Sequence, residues 1–120
     1  VAGIEARGFT LAAPVARTLD AGFIPLRKPG KLPWKTISQP YSLEYGTDAL
    51  EMHTDAVEVG EVVLVVDDVI ATGGTAAAAV ELLRRAGAEV AGVAVFIELG
   101  FLNGKAAIQG VPFHGLIRYD

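Results

Sequence analysis

The stretch from residue 62 to residue 99 constrains the fold more than any other part of the chain. Residues 62–66 are all apolar and predict a strand buried on both faces of a sheet. Between residues 75 and 86 apolar side chains recur at helical spacing, and Gly87 supplies a helix stop. The run EVAGVAVFIEL predicts the next strand. A buried strand followed by a helix and another buried strand is the repeating unit of a parallel sheet.

The N-terminal part of the chain predicts a second unit of the same kind. Residues 1–4 and the run FIPLRK indicate strands, and a helix between them begins at Gly8. Pro14 predicts a kink or a late start in that helix. Three apolar residues spaced four apart, Leu11, Val15 and Leu19, would share one face of this helix.

The remaining segments complete a single domain over residues 1–120. Residues 29–41 hold three prolines and predict a long loop, and the run SLEYGTDALEMH predicts a hairpin turning at residues 46–48. A short helix around residues 105–109 and a strand at residues 115–119 follow. We therefore predict an α/β fold with a doubly wound, mostly parallel sheet, in which residues 28–58 form a flap and hairpin insertion.

Composition excludes several function classes. The chain has no cysteine, which excludes disulfides, thiol nucleophiles and cysteine-bound zinc. The net charge of −4 is unfavourable for nucleic-acid binding. No apolar run reaches the roughly 18 residues of a membrane helix, and Glu5 and Arg7 interrupt the apolar start that a signal peptide would need. These features fit a cytoplasmic protein.

The candidate ligand site lies where the strand at residues 62–66 ends. Asp67 and Asp68 come directly after the apolar run, and the sequence TGGT at residues 72–75 leads into the helix. Free N–H groups at a helix N-terminus attract phosphate, and glycines let it approach the backbone. Adjacent carboxylates can accept hydrogen bonds from vicinal hydroxyls. The combination points to a ribose 5-phosphate group.

Two other interpretations of the same residues remain open at this point. Asp67 and Asp68 could bind a metal directly, although no histidine or third acid stands close in sequence, or they could belong to an acidic turn capped by a glycine loop. The loop is neither a Walker A motif, since no lysine follows the glycines, nor G-x-G-x-x-G.

Four stretches of the chain resemble one enzyme family. VVLVVDDVIATGGT, residues 62–75, is similar to the phosphoribosyl diphosphate signature of the type I phosphoribosyltransferases. GIEARGF, RKPGKLP and YSLEYGTDALEMH resemble the bacterial adenine phosphoribosyltransferases and occur in the family's order. The resemblance implies transfer of 5-phosphoribosyl from phosphoribosyl diphosphate to adenine, giving AMP and diphosphate in purine salvage.

The resemblance also implies roles for individual residues around the sugar phosphate. Asp67 and Asp68 would take the ribose 2′ and 3′ hydroxyls and favour positive charge growing on the ring. Arg7 would receive the diphosphate through its multi-donor guanidinium. The 5′-phosphate loop would consist of Ala71, Thr72, Gly73, Gly74 and Thr75.

Further implied roles fall on the flap and hairpin. Arg27, Lys28 and Lys31 would belong to a mobile loop that reaches the diphosphate in the site of a second subunit, which implies a homodimer. Glu44 would exchange a proton with the purine ring, shielded by Tyr45. Mg²⁺ would be bound mainly through the substrate diphosphate and water, so we predict no dedicated metal-ligating residue.

The sequence constrains the identity of the base less than it constrains the sugar phosphate site. The family carries an adenine-gripping segment before the strand matched here by VAGI, and we expect the chain to be N-terminally incomplete in this respect. Two alternatives follow: a phosphoribosyltransferase for another base such as xanthine, or a regulator on the same fold that senses phosphoribosyl diphosphate without catalysis.

Overall fold

A computed structural model of the chain describes residues 1–43 and 45–120. The elements in chain order are β1 (Ala2–Ile4), α1 (Arg7–Thr18), β2 (Ile24–Leu26), β3 (Thr36–Ser42), β4 (Thr47–His53), β5 (Val62–Ile70), α2 (Gly74–Arg85), β6 (Glu89–Leu99) and β7 (Phe113–Tyr119). Two short 3₁₀ helices, Gly100–Leu102 and Gly104–Ile108, connect β6 to β7.

The central sheet is entirely parallel and confirms the predicted α/β class. Its strand order is β2-β1-β5-β6-β7, so β1 and β5 lie side by side in the middle of the sheet. Strands β3 and β4 form a separate antiparallel pair. In the described part of the chain, no helix combines the length and the apolar character that crossing a bilayer requires.

The two helices cover opposite faces of the sheet. Alternate residues of β5 point to opposite sides, and Val65 belongs to the large core cluster that includes α2 residues such as Leu82. Val66, its neighbour, packs in a smaller cluster with Ala12 and Ala16 of α1. The doubly wound arrangement therefore places the N-termini of both helices at the carboxyl edge of the sheet.

The apolar face predicted for α1 packs against the sheet only in part. Leu11 and Val15 are only half-buried and Leu19, at the C-cap, is 58% exposed, whereas Gly8, Ala12 and Ala16 are buried. Small residues let the helix approach the sheet closely, and this outweighs the spacing of the larger side chains. Pro14 lies inside the helix and causes no late start, since α1 begins at Arg7.

Three predicted boundaries also need correction. The loop predicted over residues 29–41 is shorter, because β3 starts at Thr36 and contains Pro40, which an edge strand tolerates. The strand predicted over residues 62–66 continues to Ile70. The acidic pair therefore lies inside the C-terminal part of β5, where the strand still pairs with β6, and not after the strand. The last strand begins at Phe113, and the short helix before it is a 3₁₀ helix.

Candidate functional site

A cavity of about 490 Å³ opens at the carboxyl ends of β1 and β5. Its walls come from the segment after β1, from the end of β5 with the loop into α2, and from one residue that follows β2. Nine residues predicted from the sequence line it together: Arg7, Lys28, Asp67, Asp68, Ala71, Thr72, Gly73, Gly74 and Thr75. Ligands in open α/β sheets bind at this edge.

The acidic pair is held in a short network. The backbone N–H of Asp68 donates to Oδ1 of Asp67 at 2.8 Å, and Nε of Arg7 lies 2.7 Å from Oδ2 of Asp68. Burial raises the pKa of Asp67 to about 7, and the negative charge of Asp68 contributes to the same shift. Near neutral pH the pair can therefore both accept and donate hydrogen bonds, which suits a ligand with adjacent hydroxyls.

Gly8, in the first turn of α1, allows the helix to pack against the acidic pair. A Cβ at this position would lie 2.9 Å from Oδ1 of Asp67 and 3.2 Å from the carbonyl oxygen of Val66. No larger residue fits without displacing the carboxylate or the strand. The close approach of α1 covers one side of Asp67, which is half-buried although it lies beside an open cavity.

The loop into α2 has the geometry of a phosphate site. Gly73 is the N-cap of α2, and its φ of +89° lies in the left-handed region that favours glycine. The N–H of Ala77 donates to the carbonyl oxygen of Gly73 at 2.9 Å, the first hydrogen bond of the helix. The N–H groups of residues 74–76 come before that bond and have no acceptor within the helix. Together with the helix dipole they favour an anion in the cavity.

Glu5 ties the segment after β1 to the end of β2. Its Oε1 accepts hydrogen bonds from the backbone N–H of Lys28 and from Nε of Arg27, both at 3.0 Å. Burial alone would raise the pKa of Glu5, but these two bonds outweigh it and the pKa is lowered. Arg27 also lies over the ring of Phe9, 5.9 Å from its centroid. Its guanidinium is thereby directed at Glu5.

Lys28 connects the cavity wall to the hairpin. Its Nζ donates to the hydroxyl of Tyr41 at 2.7 Å and forms an ion pair with Asp48. The hydrogen bond that Lys28 donates to Asp48, followed by the one it donates to Tyr41, raises the pKa of Lys28, and the bond between Lys28 and Asp48 lowers the pKa of Asp48. Tyr41 and Ser42 also lie beside Gly74, since a Cβ there would be 3.8 Å from the Tyr41 ring and 3.7 Å from the Ser42 carbonyl. The hairpin therefore contacts both ends of the cavity.

Residues 1–107 match the family model described as "Phosphoribosyl transferase domain". The match spans both helices and the whole cavity. The chain belongs to the phosphoribosyltransferase family.

Within this family the similarity is to adenine phosphoribosyltransferases. The adenine phosphoribosyltransferase of Desulfitobacterium hafniense is 53% identical over 119 residues, which cover 99% of this chain and 69% of the relative. The crystal structure of the enzyme from Rhodothermus marinus superposes with a TM-score of 0.96 at 54% identity, covering 98% of this chain and 68% of that one. The Saccharomyces cerevisiae enzyme, solved with adenine and an imino-altritol bisphosphate, superposes with a TM-score of 0.92 at 41% identity. The match covers 96% of this chain and 65% of that one. The chain thus spans about two thirds of the length of these relatives.

These findings confirm the family and the activity that the resemblance implied. AMP formation from adenine and phosphoribosyl diphosphate is the activity of these relatives, and a different base or a purely regulatory role is not favoured. The roles of individual residues are a separate matter and stay predictions.

Of the predicted residues that the structure describes, three do not line the cavity. Arg27 turns to Glu5, Lys31 is exposed, and Tyr45 is 88% exposed. Glu44, the predicted proton-exchange residue, lies outside the described residues.

Sequence reasoning gave no role to several residues that shape the cavity. Glu5 and Gly8 both fall within GIEARGF, residues 3–9. The only local sign of their importance is that a charged residue and a glycine lie on either side of Arg7. The part played by Glu5 could not be read locally, because its partners lie 22 and 23 positions away.

Proposed function

We propose that the cavity holds phosphoribosyl diphosphate lengthwise, and that adenine N9 attacks its C1′ to form AMP and release diphosphate. The observation that carries this proposal is one shared cavity wall. The acidic pair, the N-terminus of α2 and Arg7 all face the same 490 Å³ space. A sugar phosphate needs hydroxyl acceptors and an anion site at opposite ends, and the leaving diphosphate needs a cation.

Electrostatics support a role for the acidic pair in the transition state. As diphosphate leaves, positive charge develops on the ribose ring, and carboxylates placed beside the diol stabilise it. Asp68 is ion-paired with Arg7, and its side chain is 27% exposed. Arg7 is 81% exposed at its side chain, so its guanidinium can turn toward an incoming diphosphate while the hydroxyls replace it at Asp68.

The donor set fits Mg²⁺ held mainly by the substrate. Among the residues that the structure describes, no three His, Cys, Asp or Glu side chains lie close enough together to hold an ion. Asp67 and Asp68 are hard oxygen donors at the cavity and could contact the ion's water shell. When bound, the ion neutralises negative charge on the diphosphate leaving group.

We assign the base-proximal and flap roles as the family resemblance implies. Glu44 would exchange a proton with the purine ring beside Tyr45, and Arg27, Lys28 and Lys31 would belong to the loop that reaches the diphosphate. The ion pair between Arg27 and Glu5 supports an added role for Arg27 in holding that loop. The insertion over residues 28–58 would close over the site and reach the neighbouring subunit of a homodimer, thereby excluding water. The contacts of Lys28 and Tyr41 with the cavity wall support such a position for the hairpin. A cytoplasmic location fits a phosphorylated substrate.

The test is nucleotide synthesis from separate bases. The chain is mixed with Mg²⁺, phosphoribosyl diphosphate and adenine, hypoxanthine, guanine or xanthine, and nucleotide formation is followed by chromatography. We expect AMP only, with no product from the other bases. Turnover of xanthine in place of adenine would contradict the base assignment. Tight binding of phosphoribosyl diphosphate with no turnover of any base would contradict catalysis.

A further inference from the structure

Two glycines from different elements bring their backbones into direct contact behind the loop at residues 71–75. A Cβ on Gly104, in the second 3₁₀ helix, would lie 2.3 Å from the carbonyl oxygen of Ala71 and 3.0 Å from Cγ1 of Ile70. A Cβ on Gly73 would lie 2.1 Å from the carbonyl oxygen of Gly104 and 2.8 Å from Cβ of Ala107. Side chains are excluded at both positions, so the loop rests on the 3₁₀ segment backbone to backbone.

Gly104 is required for space and not for backbone conformation. Gly73 has a φ of +89°, so glycine is favoured there for two reasons, but the φ of Gly104 lies outside the left-handed region. A Cβ on Gly104 would need the Ala71 oxygen to retreat from 2.3 Å to at least the 3.0 Å that real Cβ contacts keep, a movement of about 0.7 Å. Gly104 therefore offers a way to displace the loop by steric contact alone.

The two 3₁₀ helices, residues 100–108, are held by backbone hydrogen bonds and by burial. Asn103 adopts a left-handed φ of +51° and donates its N–H to the carbonyl oxygen of Gly100 at 3.0 Å. The N–H of Ala106 then donates to the carbonyl oxygen of Asn103 at 3.1 Å. Gly104, next to Asn103, is buried. Ile108, at the end of the second 3₁₀ helix, is also buried and packs in the main core.

We propose that residues 100–108 form a backbone support that sets the position of the 5′-phosphate loop, and that Gly104 is a positioning residue for it. The proposal depends on the assignment of residues 71–75 to the 5′-phosphate. Backbone N–H donors bind phosphate strongly only when they are held in place before the ligand arrives. The support contacts the carbonyl oxygen of Ala71 and so fixes the backbone at the start of the loop. Because the backbone is fixed there, the N–H groups of the loop keep their positions relative to the N-terminus of α2.

The test separates the two ends of the cavity with two ligands. Ribose 5-phosphate and magnesium diphosphate are titrated separately by calorimetry into the wild-type chain and the Gly104→Ala variant. We expect the ribose 5-phosphate affinity to fall about tenfold or more, since displacements near 1 Å carry losses of that order or larger. The diphosphate affinity should stay unchanged, because its predicted partner Arg7 belongs to a different segment. The Gly22→Ala variant, whose Cβ would meet nothing within 4 Å, is the control and should bind both ligands like wild type.

A second variant keeps the test decisive if Gly104→Ala does not fold, as judged by its thermal melt. Ala107 is exposed, and its Cβ lies next to the space beside Gly73, so Ala107→Leu adds bulk to the support without filling the core. It should also weaken ribose 5-phosphate binding selectively. Equal loss of both ligands, or no loss of either, in the variant that folds would overturn this inference alone. A wild-type chain that bound neither ligand would overturn the proposed function and this inference with it.

Discussion

Replacing Asp67 by asparagine should stabilise the fold above neutral pH while weakening sugar binding. Burial, together with the charge of Asp68, raises the pKa of Asp67 from its ordinary 3.8 to about 7. The folded chain therefore keeps a proton on Asp67 in a range where the unfolded chain has lost it. Stability contributed by this group is present at low pH and falls as pH rises from about 4 to about 7, after which it is constant.

The size of the effect follows from the difference between the two pKa values. Going from 3.8 to about 7 corresponds to at most about 4 kcal/mol, at about 1.4 kcal/mol per pKa unit. The asparagine side-chain oxygen can still accept the N–H of Asp68, so little is lost in exchange. We expect Asp67→Asn to raise the free energy of unfolding by about 2 to 4 kcal/mol at pH 8 and by little near pH 4.

The assay is urea unfolding followed by circular dichroism from about pH 4.5 to about pH 8.5. Subtracting the wild-type curve from the variant curve removes the pH dependence that comes from groups common to both proteins. Glu5 is one such group, and its lowered pKa affects stability only below this pH range. Asp55→Asn, at an exposed aspartate, is the matched control and should give a flat difference. The reasoning is refuted if the Asp67→Asn difference is also flat, or if the variant is less stable than wild type at pH 8. With Asp68→Asn added, phosphoribosyl diphosphate binding should weaken; unchanged affinity would defeat the ribose assignment.

Three further predictions test the other walls of the site. Gly8→Ala should cost about 1 to 3 kcal/mol of stability in thermal melts and weaken phosphoribosyl diphosphate binding, because its Cβ overlaps the neighbouring carboxylate; a melt equal to that of Gly22→Ala would count against the close approach. Glu44→Ala should slow turnover far more than it weakens phosphoribosyl diphosphate binding, and equal losses in the two measurements would indicate a scaffold role. Lys28→Gln should weaken diphosphate binding in calorimetry, whereas Asp48→Asn should leave it unchanged or tighter because it releases the lysine ammonium; equal weakening by both would show that the ion pair itself is needed.

Local patterns were enough to predict the two most regular elements, α2 and β6. Strand β6 matches the run EVAGVAVFIEL residue for residue, and α2 begins within one residue of its predicted start. Both owe their form to uninterrupted apolar periodicity, which tertiary contacts reinforce. The acidic pair and the glycine loop were predicted to share a site because the carboxyl edge of a parallel sheet collects whatever follows its strands.

Contacts distant in sequence were beyond the reach of such patterns. The direction of Arg27 depends on Glu5, 22 positions earlier, and the need for glycine at position 104 depends on the carbonyl of Ala71. The spacing of its large apolar residues predicted α1, but close packing against β5 buries the small residues most deeply. In each case a partner from another element decides the role, and that partner is identifiable only in three dimensions.

The most direct test of the account is a crystal structure of the chain with AMP bound. We expect the 5′-phosphate to receive hydrogen bonds from backbone N–H groups of residues 72–75 and the ribose hydroxyls to lie against the carboxylates of Asp67 and Asp68. A nucleotide bound elsewhere, with the loop into α2 unchanged and carrying no anion, would contradict the central claim.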